Sequence, residues 1–353
     1  MATINDVARR AGVSRSTVSL VINHSPLVKE KTRQLVQQVI TDINYVPNSN
    51  ARGLSARVTH NLGVVFMQDY LPTTTQIPYD NDQHVGLCSY NLFNGIMTGL
   101  IGTDYGVITE RFCSIADPEE LPRMVREKRV DGVFVVGAPY SGCFIENLRQ
   151  TGLPFVMVGV GNYVDGVDSI YADPGVGTAM AMDELIATGH QHICLLNCSS
   201  RLHSHNLRLE GYRQRLEAHG MTFSPEWNIQ AVSNNGSSAY TAFKTFWGTG
   251  NRPDGMVAAN GQSAAGVLAY LYEIGVRVPQ DLSIIAYEDS SICGYATPAL
   301  TSINIRKEEI GRQAARCMLQ RLQDITRPFE HFALDPYLVR RSSVQPRDIL
   351  ALT

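Results

Sequence analysis

Thr3-Ile4-Asn5-Asp6-Val7-Ala8-Arg9-Arg10-Ala11-Gly12-Val13-Ser14-Arg15-Ser16-Thr17-Val18-Ser19-Leu20-Val21-Ile22-Asn23 opens the chain. Thr3 and Asp6 have the spacing of an N-terminal capping pair, and Ile4, Val7, Ala8 and Ala11 follow at helical intervals. Gly12 can leave the helix at positive φ, and Ser14 can cap a second helix in which Val18, Val21 and Ile22 share one face. Two short helices joined by a tight turn result. Arg15, Ser16, Thr17, Ser19 and Leu20 fall on the other face, where short polar groups and a guanidinium suit the major groove. A third amphipathic helix begins near Lys29 and offers Leu35, Val36, Val39, Ile40 and Ile43, closing a three-helix head that ends at Tyr45 and Pro47. Asn50-Ala51-Arg52-Gly53-Leu54 then reads as a marginal hinge helix, too short to persist alone in water.

The same helices also suit a small bundle whose polar face only meets solvent, and charge weighs between the two readings. Residues 1–60 carry eight Lys or Arg against three Asp or Glu, whereas the remainder carries 22 against 30. A basic head on an acidic body is the footprint expected when one domain alone faces phosphate. The chain has 353 residues, 44% of them apolar, enough for two or three compact units beyond the head. It contains neither an eighteen-residue apolar run nor a secretory stretch, so a cytoplasmic protein with no membrane partner is expected. Seven scattered cysteines argue against a disulfide framework. His190-Gln191-His192 and His203-Ser204-His205 lack a recognised zinc spacing, and neither metal nor cofactor is expected.

From Leu62 onward, short apolar runs alternate with amphipathic helical patterns. Strands are expected at 62–67, 105–109, 131–136 and 154–158, then at 193–197, 228–232, 255–259 and 282–287, with a last strand-like piece at 332–339. Two doubly wound parallel α/β lobes follow, with a ligand cleft beyond the carboxyl ends of their strands. No nucleophile elbow, phosphate-cradling loop or His-Glu-x-x-His set is present, and Gly159-Val160-Gly161 lacks the third glycine of a dinucleotide fingerprint. The chain does not read as an enzyme.

With these pieces in hand, the chain resembles the LacI/GalR family of bacterial transcriptional regulators from end to end. Residues 3–14 and 17–23 look like the family head, and Asn44-Tyr45-Val46-Pro47-Asn48 with Ala51-Arg52-Gly53-Leu54 looks like its hinge. Val130-Asp131-Gly132-Val133, Gly189-His190, Arg208-Leu209-Glu210-Gly211-Tyr212, Val278-Pro279-Gln280-Asp281-Leu282-Ser283, Pro298-Ala299-Leu300-Thr301 and Leu338-Val339-Arg340-Arg341-Ser342 follow in family order. The resemblance implies a helix-turn-helix domain at 1–46 and a hinge at 47–60. It also implies a periplasmic-binding-protein-like body with one lobe at 61–160 and 291–325 and the other at 161–290 and 326–344.

Carried over position by position, Arg15, Ser16 and Leu20 touch base edges, while Thr17, Asn23 and Tyr45 hold the DNA backbone. Arg15 alternatively holds only phosphate. Ala51 and Leu54 belong to the hinge, where Leu54 wedges into the minor groove beside its counterpart from a second subunit. Gly53 departs from the usual pattern and costs that helix roughly 1 kcal/mol relative to alanine. A homodimer on a near-palindromic stretch of double-stranded DNA is implied. Asp69, Asp173, Arg208, Asn260 and Glu288 would line the cleft, and their chemistry suits the hydroxyls of a carbohydrate effector. Asp173 and Asn260 have structural alternatives as a helix cap and a strand-end turn. Glu288 and Gly261 stand where the family usually has aspartate, and Asn234 stands near a usual aromatic, which leaves effector identity open. The long segment from Gln68 to Cys88 reads either as a lid or as a surface loop. A regulator answering to a protein partner, or a sugar-binding transport receptor, are the alternative readings.

Overall fold

The computed structural model describes residues 2–22, 25–45, 58–68, 87–115, 118–138, 140–161, 163–198 and 203–347. The chain divides into two compact units, Met1–His60 and Asn61–Thr353.

The first unit holds α1 (Ile4–Ala11), α2 (Arg15–Ile22) and α3 (Glu30–Asp42). Thr3 and Asp6 form the expected capping box: the Asp6 amide donates to Thr3 Oγ1 at 3.3 Å, and Asp6 Oδ2 accepts from the Thr3 amide at 2.9 Å. Gly12 ends α1 at φ 65°, and Ser14 Oγ accepts the Thr17 amide at 3.1 Å to start α2. Val7, Ala11, Val18, Val21 and Val36 make the centre of the core. Leu35, expected inside it, is 49% exposed. The inward stripe of α3 is completed by Val36, Val39, Ile40 and Ile43 at i, i+3, i+4 and i+7, which leaves Leu35 on its rim.

Among its described residues the second unit contains two six-stranded sheets. The first is built from β1 (Asn61–Met67), β2 (Gly106–Phe112), β3 (Gly132–Val136), β4 (Phe155–Val160), β5 (Asp168–Ala172) and β11 (His331–Ala333), in the order β11-β5-β4-β3-β1-β2. Its helices are α4 (Leu87–Gly99), α5 (Arg123–Arg126), α6 (Gly142–Gln150) and α12 (Lys307–Gln323). The second is built from β6 (Ile193–Cys198), β7 (Asn228–Ala231), β8 (Gly255–Ala258), β9 (Ser283–Tyr287), β10 (Thr301–Asn304) and β12 (Tyr337–Val339), in the order β12-β10-β9-β8-β6-β7. Around it run α7 (Pro174–Ala187), α8 (His203–Ala218), α9 (Gly236–Gly248), α10 (Gly261–Glu273) and α11 (Ser291–Tyr295). Among the described residues every strand pair is parallel except β10 with the edge strand β12. Among the same residues no helix is long and apolar enough to cross a membrane.

Two strands escaped the apolar-run criterion, and the lobe boundaries move with them. Asp168-Ser169-Ile170-Tyr171-Ala172 adds β5 to the first sheet, and Thr301-Ser302-Ile303-Asn304 adds β10 to the second. Both carry polar groups that are buried because distant partners satisfy them. Asp168 meets Arg321, and the Thr301 hydroxyl accepts the Arg341 amide at 2.9 Å. The piece expected as one strand at 332–339 is two: β11 pairs with β5, and β12 with β10. The chain therefore crosses between lobes after Ala172, after Asn304 and after Ala333, rather than after residues 160, 290 and 325.

Helices within each lobe meet at paired glycines. A Cβ on Gly211 of α8 would lie 2.4 Å from the Gly175 carbonyl of α7; Gly266 faces the Gly236 carbonyl in the same way, and a Cβ on Gly311 would meet the Leu92 carbonyl and the Gly95 Cα. Such approaches bring backbones together that any side chain would separate. Burial pushes the Cys317 thiol up to about 12, and Cys113, Cys194, Cys198 and Cys293 are likewise buried as small core residues.

Candidate functional site

On α2, Arg15 and Ser16 are exposed at the N-terminal end and Leu20 is 37% exposed, while Val18 and Val21 on the opposite face are buried. Thr17 is half-buried with its hydroxyl 2.9 Å from that of Ser14, so part of its capacity is spent on the turn. Arg9 is tied to Asp6 at 3.0 Å, whereas Arg15 pairs with no acidic side chain among the described residues. Tyr45 packs against the head's core and its amide donates to the Ile40 carbonyl at 2.9 Å. Arg33, which sequence reasoning passed over, donates to the Ser25 carbonyl at 2.7 Å and fastens the turn after α2 onto α3. Asn23, Ala51 and Leu54, together with Gly53, lie outside the described residues.

In the body, the strand order reverses beside β6 in the second sheet and beside β1 in the first. Those reversals open crevices at the carboxyl ends of the strands, where open α/β sheets take ligands. Glu288 follows β9, Asn260 follows β8 and Arg208 projects from α8, which follows β6. Arg208 is 3% exposed, its guanidinium carbon sits 4.5 Å from the centre of the Tyr287 ring, and its Nη2 lies 3.6 Å from Glu288 Oε1. Nε and Nη1 of the same guanidinium are buried and donate to nothing among the described residues. Glu288 holds its backbone at φ 62°, a left-handed conformation uncommon for a residue with a side chain.

The other expected cleft residues have local duties. Asp173 caps α7, with Oδ1 accepting the Gly175 amide at 2.7 Å and the Val176 amide at 3.4 Å. Asn260 caps α10 through the Ser263 amide at 2.7 Å and donates from Nδ2 to the Asn234 carbonyl at 2.9 Å. The helix cap that was Asp173's structural alternative is present, whereas Asn260, whose alternative was a strand-end turn, caps the helix after its strand and also ties that strand end to Asn234. Asp69 and most of the 68–88 segment lie outside the described residues.

Three contributors were not legible beforehand. Tyr287 forms the aromatic floor under Arg208, and its position directly before Glu288 was the available signal. Asn197 donates from Nδ2 to the His205 carbonyl at 2.9 Å, pinning the start of α8 to the end of β6. Asp289 accepts from Ser302 at 2.7 Å and from Asn304 at 3.2 Å and pairs with Arg341 at 2.9 Å, so it is saturated and steadies the turn that presents Glu288.

Residues 3–48 match the family model for bacterial regulatory proteins, lacI family, and residues 182–344 match the model for a periplasmic binding protein-like domain. The HTH-type transcriptional repressor PurR of Photobacterium profundum is 30% identical over 346 residues, covering 98% of this chain and 99% of its own length. PurR of Aliivibrio fischeri is 29% identical over 349 residues, with coverages of 98% and 99%. Among solved structures, the transcriptional regulator CelR in complex with cellobiose is 26% identical with a TM-score of 0.71, covering 97% of this chain and all of that one. The lac repressor dimer bound to operator and the anti-inducer ONPF has a TM-score of 0.79 at 24% identity, with coverages of 98% and 99%, a likeness of fold.

Proposed function

Because the chain belongs to the LacI family of bacterial regulatory proteins, we propose that it is a repressor whose paired heads grip a near-palindromic operator and whose body answers to a sugar or sugar derivative. It is a DNA-binding transcriptional regulator controlled by a small molecule, and its relatives are repressors rather than enzymes. The observation that carries the effector reading is Arg208. A guanidinium with five donors, stacked on Tyr287 and left with one carboxylate contact at 3.6 Å, offers its remaining N–H groups to hydroxyl oxygens. Glu288 accepts from hydroxyls in the same place, and cellobiose in CelR is a ligand of that chemistry.

Exposed apolar side chains support a homodimer. Tyr90 and Met97 on α4 with Ile101 just beyond it, and Tyr272 on α10 with Tyr295 at the end of α11, are large hydrophobics left open to solvent. In this reading a ligand that binds one arrangement of the lobes more tightly shifts the population that can hold operator. Selection of bound DNA from random sequence, repeated with cellobiose, ribose and other sugars, tests the assignment. A twofold-symmetric consensus whose affinity changes with one of these solutes is the expected outcome, and the sign of the change distinguishes induction from corepression. Recovery of no consensus would reject operator recognition.

A further inference from the structure

The second crossing between lobes runs from β10 into α12, and it carries a buried ammonium. Lys307, the first residue of α12, is 6% exposed, and its Nζ has no hydrogen-bond or ion-pair partner among the described residues. Arg306 before it takes φ 57° and donates its amide to Asn304 Oδ1 at 2.8 Å, so the chain turns sharply out of β10 and into the helix. The crossing lies beside the cleft. Ile303 is in register with Tyr287, the Asp289 amide donates to the Ile303 carbonyl at 2.8 Å, and Asn304 Nδ2 donates to Asp289. Glu288 therefore stands at the edge of the segment that delivers Lys307.

The charges around this crossing do not balance. Asp289 is taken by Arg341, Glu288 faces Arg208, and Asp173 is engaged in capping α7. Lys307 remains without a carboxylate among the described residues. Withholding an ammonium from water without a counter-charge is costly, and buried lysines are as a rule paired. A neutral sugar satisfies Arg208 and Glu288 and leaves that cost in place.

We propose that the effector is an anionic polyhydroxy compound, a sugar phosphate or a sugar acid, whose oxyanion is received by Lys307 while Arg208 and Glu288 hold its hydroxyls. The proposal rests on the effector reading above and narrows it. Lys307 acts as a selector for charge, and the guanidinium and carboxylate read the body of the ligand.

The full-length chain and its Lys307→Met variant are melted at constant ionic strength with inorganic phosphate, glucose 6-phosphate, gluconate and glucose, and operator binding is followed in parallel. The expected result is that inorganic phosphate stabilises the wild type saturably and binds K307M at least tenfold more weakly, with Lys307→Arg retaining the response. Gluconate against glucose 6-phosphate then separates a carboxylate from a phosphate ligand. K307M without ligand is expected to melt no lower than the wild type, because it removes an unpaired buried charge. Equal protection of K307M by phosphate overturns the proposal, as does a lower melting point of ligand-free K307M, which would make Lys307 a structural residue. A neutral sugar that shifts operator affinity equally in both proteins overturns it while leaving the regulator reading intact. Phosphate binding that needs Lys307 but leaves operator affinity unchanged upholds the anion site and rejects its regulatory use.

Discussion

Arg321 in the first lobe and Arg208 in the second are each 3% exposed, yet their surroundings are opposite. Arg321 donates to both oxygens of Asp168 at 2.8 and 3.0 Å and to the carbonyls of Ile325, Arg327 and Pro328, and its guanidinium stacks on Phe329. Asp168 Oδ1 additionally accepts the Glu330 amide at 2.8 Å. Every donor of that fork is used within the lobe. Arg208 has the same burial and also lies over an aromatic ring, Tyr287, but among the described residues its guanidinium has one polar contact, to Glu288 at 3.6 Å. A buried charge saturated by its own chain holds the fold; the open one is, under the proposed function, available to a ligand.

Breaking the saturated pair should have the largest effect on stability. Arg321→Met strands Asp168 in the interior and is expected to cost about 3 to 5 kcal/mol, read as a lower urea midpoint with an unchanged slope. Arg208→Met is the counterpart that sharpens the contrast. Stability without ligand should be unchanged or slightly higher, while the effector's influence on operator affinity disappears. A loss of stability matching that of Arg321→Met would erase the distinction between the two arginines.

Gly211→Ala tests whether packing in the second lobe is as exacting as the ionic lock in the first. Its Cβ would meet the Gly175 carbonyl at 2.4 Å, and the shift of α8 away from α7 is expected to cost about 1 to 3 kcal/mol in thermal or urea unfolding. The smallest effect concerns an exposed pair. Arg277, bonded to Asp281 at 2.8 and 2.9 Å, lowers that carboxyl from 3.8 to about 2. Its contribution is therefore complete above pH 3.8 and fades as the pH falls towards 2. Being at the surface, it is also screened by salt. Asp281→Asn should lower the melting temperature slightly at neutral pH and match the wild type near pH 2. A constant difference across that range would exclude the ion pair as the cause.

The head was legible almost residue by residue, because Thr3, Asp6, Gly12 and Ser14 act on neighbours three or four positions away. Leu35 was misplaced because a stripe of five candidate positions is wider than the face that α3 turns to the core. In the body, apolar strands announced themselves, whereas β5 and β10 did not. Asp168 is buried through a partner 153 positions away, and Thr301 through one 40 positions away. Arg208 and Glu288 are expected as cleft residues from sequence and stand together; Asp173 and Asn260 are expected there too, and the cap is legible as an alternative for Asp173 but not for Asn260, whose expected alternative is a strand-end turn.

By itself, the order of residues determined the capped helices of the head, the basic-to-acidic division at residue 60 and the alternation of strand and helix in the body. These depend on short-range periodicity and on charge that can be counted. Only the tertiary structure decided which arginine is saturated, which glycines touch, how residues 331–339 divide between two sheets, and that Lys307 is enclosed without a partner among the described residues. Each of those is a meeting between segments far apart in the chain, and burial arises only from such meetings.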